Sequence, residues 1–172
     1  MSAITNIFKK YPNPVFVETG SYIGNGIQFA IDAGFGTIYS IELNIGNYYH
    51  CWERFKDNSN VHLIFGDSCF MLEYLLCKIK SPVTFWLDGH SDHGTTDWIG
   101  KYKSPLIQEL GIIRKHFIKT HIIIIDDLRH WSVNDYGFDT EILKQEILKI
   151  NKSYKFTFED GTTPKDILIA KI

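Results

Sequence analysis

Short runs rich in β-branched residues alternate with longer amphipathic ones along this chain, which restricts it to a parallel sheet covered by helices. The strand-like runs are residues 15–19, 37–43, 61–65, 83–87 and 121–125. Several are apolar almost throughout, and such strands need a helical layer on each face. The four isoleucines Ile122, Ile123, Ile124 and Ile125 are the clearest case. Helical periodicity falls between these runs, at residues 26–33, 44–55, 68–80, 105–117 and 140–151. Leu72, Leu75, Leu76 and Ile79 share one helical face, and Ser104-Pro105 reads as a cap with proline in the first turn. The ending departs from the alternation. Residues 154–159 and 166–172 are two strand-like runs joined by Asp160-Gly161-Thr162-Thr163-Pro164, too short for a helix, so they pair as an antiparallel hairpin.

At 172 residues without a linker, repeat or low-complexity stretch, the chain reads as a single domain, residues 1–172. The net charge is −2 and no basic run appears, so a nucleic-acid partner is not expected. Three cysteines at irregular spacing argue against a disulfide framework and read as small buried hydrophobes. No apolar stretch approaches the roughly 20 residues of a membrane span, and the N-terminal residues lack a signal-type apolar core. The expectation is a cytoplasmic protein.

The first strand-like run leads into Glu18-Thr19-Gly20-Ser21-Tyr22-Ile23-Gly24-Asn25-Gly26. Glycines at such a turn let a ligand approach the backbone without a Cβ clash. The acid at the strand end suits a cationic ammonium group and would repel a pyrophosphate. Both the dinucleotide pattern GxGxxG and the Walker lysine motif are absent. About twenty residues on, Glu42 ends the second strand, where an acid can accept from ribose hydroxyls.

With this loop, these acids and the closing hairpin, the chain resembles the class I S-adenosylmethionine-dependent methyltransferases over residues 15–172. The resemblance implies an α/β, Rossmann-like methyltransferase fold: a mainly parallel seven-stranded sheet of order 3-2-1-4-5-7-6. It implies S-adenosylmethionine as cofactor, with Glu18 and Gly20 at the methionine moiety, Glu42 at the ribose, and Asp67 and Ser68 at the adenine. Thr19, Ser21, Gly24, Gly26 and Asp88 complete that cofactor-binding set. Asp67-Ser68 also reads as a plain helix N-cap, and the two readings are compatible.

The fourth strand runs into Asp88-Gly89-His90-Ser91-Asp92-His93, and the fifth into Asp126-Asp127-Leu128-Arg129-His130. In an open α/β sheet these ends face the same crevice as the glycine-rich loop. Two chemistries remain open. Asp88, Asp126 and Asp127 offer oxygen ligands for Mg²⁺ or Mn²⁺, which would lower the pKa of an acceptor hydroxyl. Alternatively Asp88, His90, His93 or His130 takes the hydroxyl proton directly. One Asp after strand four and an Asp pair after strand five resemble the metal-dependent sugar O-methyltransferases, although His90 stands where those enzymes carry a further acid.

The implied reaction is therefore O-methylation of a sugar, glycan or other small-molecule hydroxyl. Two alternatives stand beside it: a metallo-β-lactamase-like zinc hydrolase built on Asp88-x-His90-x-Asp92-His93, and a cofactor-binding relic without turnover. Trp98, Tyr102 and Trp131 form either an acceptor platform or local packing. Arg129 and Lys103 read as solvated surface charges, with contact to an anionic substrate as the alternative, and Trp86 reads as core. Little chain precedes the first strand, so the acceptor pocket falls to residues 91–104 and 127–139, or to a homodimer partner or neighbouring domain.

Overall fold

A computed structural model describes residues 2–89 and 104–172. The strands are β1 (Val15–Thr19), β2 (Thr37–Glu42), β3 (Val61–Phe65), β4 (Val83–Leu87), β5 (Ile122–Ile125), β6 (Lys155–Glu159) and β7 (Ile167–Lys171). They form one seven-stranded sheet in the order β3-β2-β1-β4-β5-β7-β6. Pairing is parallel from β3 through to β5, while β7 runs antiparallel to both β5 and β6. This is the expected Rossmann-like methyltransferase order, and it is not the sheet arrangement the zinc-hydrolase alternative needs.

Seven helices stand among the described residues: α1 (Ala3–Lys10), α2 (Asn25–Ala33), α3 (Ile45–Phe55), α4 (Ser68–Leu76), α5 (Leu106–Lys115), α6 (Val133–Tyr136) and α7 (Thr140–Leu148). Polar caps fix where several of them begin. Asn44 accepts from the Gly46 and Asn47 N–H groups, Asp67 from Cys69, and Asp139 from Ile142. Gly34 ends α2 in the left-handed conformation, its N–H returning to the Ala30 and Ile31 carbonyls.

Because alternate strand residues face opposite sides of a sheet, the two faces carry separate cores. Phe16, Ile38, Trp86 and Ile124 pack with α1, α2 and α3 residues such as Phe8, Ile27 and Cys51. Val17, Ile41, Phe85 and Ile123 pack with Leu72 of α4, Leu110 and Ile113 of α5, and Leu143 and Ile147 of α7.

Three expectations need correction. The segment before β1 is a capped helix: Ser2 accepts from the Thr5 N–H at 3.0 Å, and Phe8 is wholly buried against Phe16 and Trp86. Lys10 and Tyr11 then tie this helix to Glu159 of β6. The segment 127–139 carries a 3₁₀ turn (Leu128–His130) and the short α6. Of the cysteines only Cys51 is buried, Cys69 being partly covered and Cys77 exposed. Among the described residues no helix is long and apolar enough to cross a membrane.

Candidate functional site

The strand order reverses between β1 and β4, and ligands of open α/β sheets bind outside the strand ends at that point. The loop after β1 is shaped by its backbone. Gly20 has φ +85°, donates its N–H to the Ile41 carbonyl at 2.9 Å, and lies so close to β4 that a Cβ would sit 2.9 Å from the Asp88 carbonyl oxygen. Tyr22 takes φ +47°, uncommon for a bulky side chain, and Gly24 takes φ +84° at the start of α2. The local strain sits where a ligand-cradling turn is expected.

Glu18 lies directly under this loop, only 1% exposed. Parallel register places Ser40 on one side of it and Trp86 on the other. Ser40 donates to Glu18 Oε2 at 2.5 Å, and the Ser21 hydroxyl lies 2.5 Å from that of Ser40. The other carboxyl oxygen occupies the space above Gly26, where a Cβ would lie 1.8 Å from it. Burial pushes the Glu18 pKa up to about 8; the Ser40 hydrogen bond opposes this, and Asp88 and Glu42 add to it. Burial therefore favours the protonated form of this acid at the base of the crevice. Ser40 had no motif to announce it, because its role follows from cross-strand register.

Glu42 is also buried, its carboxylate accepting from the Tyr22 N–H at 2.8 Å and the Asn44 N–H at 2.7 Å. It therefore fixes the far side of the glycine-rich loop. Asp67 caps α4, accepting from Cys69 at 2.8 Å, and Ser68 is buried beside it.

Thr19 points to the opposite face from Glu18 and meets an acid that the sequence pattern concealed. Glu109 of α5 is fully buried, and among the described residues neither its carboxyl oxygens nor Thr19 Oγ1 has a well-formed hydrogen bond. Burial raises its pKa to about 7; the nearby Ser68 and Thr19 hydroxyls ease its charge, while Asp67 and Asp88 oppose ionisation. In the sequence it is one charged residue inside an amphipathic helix.

The acids after β5 assemble differently from the expected trio. Oxygens of Asp126, Asp127 and Asp166 lie within 4.8 Å of one another, with Asp166 delivered by the start of β7. Asp88 stays outside that trio, but its charge, after burial, is the next cause raising the Asp126 pKa to about 7. Arg129 is no free surface charge: Nη1 lies 2.6 Å from Asp127 Oδ1 and also pairs with Asp166. Trp131 is 6% exposed, donates to the Asp126 carbonyl at 3.0 Å and packs on Tyr136 and Phe138. It is core, not an acceptor platform. His130 is half-buried on the 3₁₀ turn beside this cluster. His90, Asp92, His93, Trp98, Tyr102 and Lys103 lie outside the described residues.

Two further histidines are structural. His116 and His121 are buried 2.9 Å apart, and His121 Nδ1 accepts from the Val83 N–H at the opposite end of the strands.

No family model and no curated protein matches this chain. Solved structures do. An S-adenosylhomocysteine-bound methyltransferase from Podospora anserina superposes with TM-score 0.66 at 13% identity, covering 99% of this chain and 79% of that one. An O-methyltransferase from Bacillus cereus, also with S-adenosylhomocysteine, gives TM-score 0.67 at 11% identity, covering 98% and 78%. The O-methyltransferase TomG from Streptomyces achromogenes, involved in tomaymycin synthesis and bound to S-adenosylmethionine, gives 0.64 at 11%, covering 98% and 77%. The chain has the fold of the S-adenosylmethionine-dependent methyltransferases.

Proposed function

We propose that the chain is an S-adenosylmethionine-dependent O-methyltransferase acting on a small-molecule or glycan hydroxyl. The observation that carries this is the buried Glu18 packed against Gly26 of the glycine-rich turn, set in a fold that holds this cofactor in other proteins. A cationic ammonium arriving there draws the proton off Glu18 and gains a charge-assisted hydrogen bond. Ser21, the Thr19 backbone and the glycine backbone line the approach, Glu42 orders the loop and accepts from ribose hydroxyls, and Asp67 and Ser68 stand at the adenine edge. When bound, the cofactor supplies an electrophilic methyl group on a sulfonium.

The chain's own contribution is positioning and proton removal. Asp88 and Asp126 flank the acceptor side of the crevice, with His130 on the neighbouring turn. Held near neutrality, Asp126 is poised to take the hydroxyl proton as the acceptor oxygen attacks; His90 and His93 are the other candidates in the sequence. Oxygen ligands of the Asp126 cluster suit a hard cation, but Arg129 already occupies the space between two of them, so no step here runs through a metal. A net charge of −2 with no basic stretch favours a small acceptor over nucleic acid. A homodimer partner or neighbouring domain would complete the acceptor pocket. An acceptor screen reading S-adenosylhomocysteine formation tests the assignment; cofactor binding without product from any hydroxyl acceptor would instead mark a relic.

A further inference from the structure

Oxygens of three carboxyl groups lie within 4.8 Å of one another, where their charges repel and a cation between them offsets the repulsion. The cation present belongs to the chain. Arg129 Nη1 sits 2.6 Å from Asp127 and pairs with Asp166 as well, bridging two of the three acids. The backbone reinforces the arrangement. The Arg129 N–H donates to Asp166 Oδ1 at 3.1 Å, and the Thr163 N–H reaches Asp166 Oδ2 at 3.4 Å. The Leu128 N–H donates to the Asp166 carbonyl at 2.9 Å. Asp166 is thus held by both the backbone and the guanidinium of one residue, and its side chain is wholly enclosed. Asp126 Oδ1 accepts the Asp127 N–H at 2.8 Å, while Asp127 itself takes φ +59°.

A divalent ion at this cluster takes six or more oxygen ligands. To assemble them here it would have to expel the guanidinium from two carboxylates and leave that charge unpaired beside a dication. A single guanidinium nitrogen, Nη1, already meets both carboxylates, a bridging contact that an incoming ion would have to displace. We propose that Arg129 is a tethered cation standing in the place of a divalent metal, so that this acidic cluster works without one. Arg129 is partly exposed, its side chain 29% accessible, and so remains within reach of an acceptor's oxygen. The exclusion of metal is independent of the methyltransferase reading; the role toward the acceptor rests on it.

The test is Mn²⁺ titration of the intact chain, followed by the loss of the free-ion electron paramagnetic resonance signal. Wild type is expected to leave the signal undiminished at millimolar Mn²⁺. Arg129→Met is expected to take up one ion, and Mg²⁺ is expected to raise its Tm but not that of wild type. Should Arg129→Met fail to fold, Arg129→Gln, which keeps hydrogen-bond donors without the charge, replaces it. Wild-type uptake that Asp127→Asn abolishes would overturn the proposal, as would a folded charge-removed variant that takes up no ion. Because the readout is binding and not turnover, a failure of the methyltransferase assignment leaves this result intact.

Discussion

Replacing Gly26 by Ala tests the link between the glycine-rich turn and the acid beneath it. The new Cβ would lie 1.8 Å from Glu18 Oε1 and 3.0 Å from its Cδ. That carboxyl cannot simply swing away, because its other oxygen is held by Ser40 at 2.5 Å within a fully paired part of the sheet. Overpacking a filled site costs about 1–3 kcal/mol, and weakening the Ser40 hydrogen bond adds about 1 kcal/mol. Alanine is favoured over glycine in a helix by roughly 1 kcal/mol, which offsets part of this. A net loss of about 1–3 kcal/mol follows, lowering Tm by roughly 2–12 °C for a chain of this size. The displaced carboxyl should also lose its charge-assisted contact with the ammonium, worth about 1.5–3 kcal/mol, or roughly 10- to 150-fold in Kd. Gly111→Ala in α5 is the control, since a Cβ there meets nothing within 4 Å. It should be neutral or slightly stabilising, by up to about 1 kcal/mol. Thermal melts and calorimetry with S-adenosylmethionine read both effects. If Gly26→Ala melts like Gly111→Ala and binds the cofactor like wild type, the reasoning about Glu18 is wrong.

The buried acids predict an unusual pH dependence. A carboxyl whose pKa rises on folding holds its proton to higher pH in the folded chain than in the unfolded one, so its stabilisation is full below the ordinary value near 4.5 and is lost as pH rises toward about 8 for Glu18 and about 7 for Glu109. Denaturant titrations should show stability falling through that window, and Glu18→Gln or Glu109→Gln should flatten the fall; an unchanged slope in both variants would contradict the burial argument. Phe8→Ala should cost about 3–5 kcal/mol, seen as a lower urea midpoint, because Phe8 is wholly buried against Phe16 and Trp86. A loss under about 1 kcal/mol would mean that α1 is not integral to that core.

What could be read along the chain was whatever local pattern encodes. The apolar runs at β1, β3 and β4 matched the observed strands to the residue, since their sharp edges are set by glycine, proline and polar neighbours. The expected helix after Asp67 overran α4, which ends at Leu76: residues 77–80 keep helical spacing at Ile79 but turn toward β4 instead. α1 escaped because its apolar residues Ile4, Ile7 and Phe8 are few and end in two lysines, so burial against the sheet decides its existence. In the site, Glu18 and Glu42 stood out because they follow strands. Ser40, Glu109 and Asp166 did not, because their roles depend on neighbours far along the chain. Asp166 reaches the acids after β5 only because β7 inserts between β5 and β6. Trp131 looked like a loop aromatic for want of any local sign that Tyr136 and Phe138 fold back onto it.

The most direct measurement is calorimetric titration of the chain with S-adenosylmethionine in two buffers of different ionisation enthalpy, alongside Glu18→Gln. Wild type should bind one equivalent and release a proton below about pH 8, the value to which burial raises Glu18. Its affinity should strengthen as pH climbs toward that value, and Glu18→Gln should bind more weakly with no proton release from that position. No detectable binding by folded wild type, or identical binding and proton release by Glu18→Gln, would contradict the assignment of this crevice as a methyl-donor site.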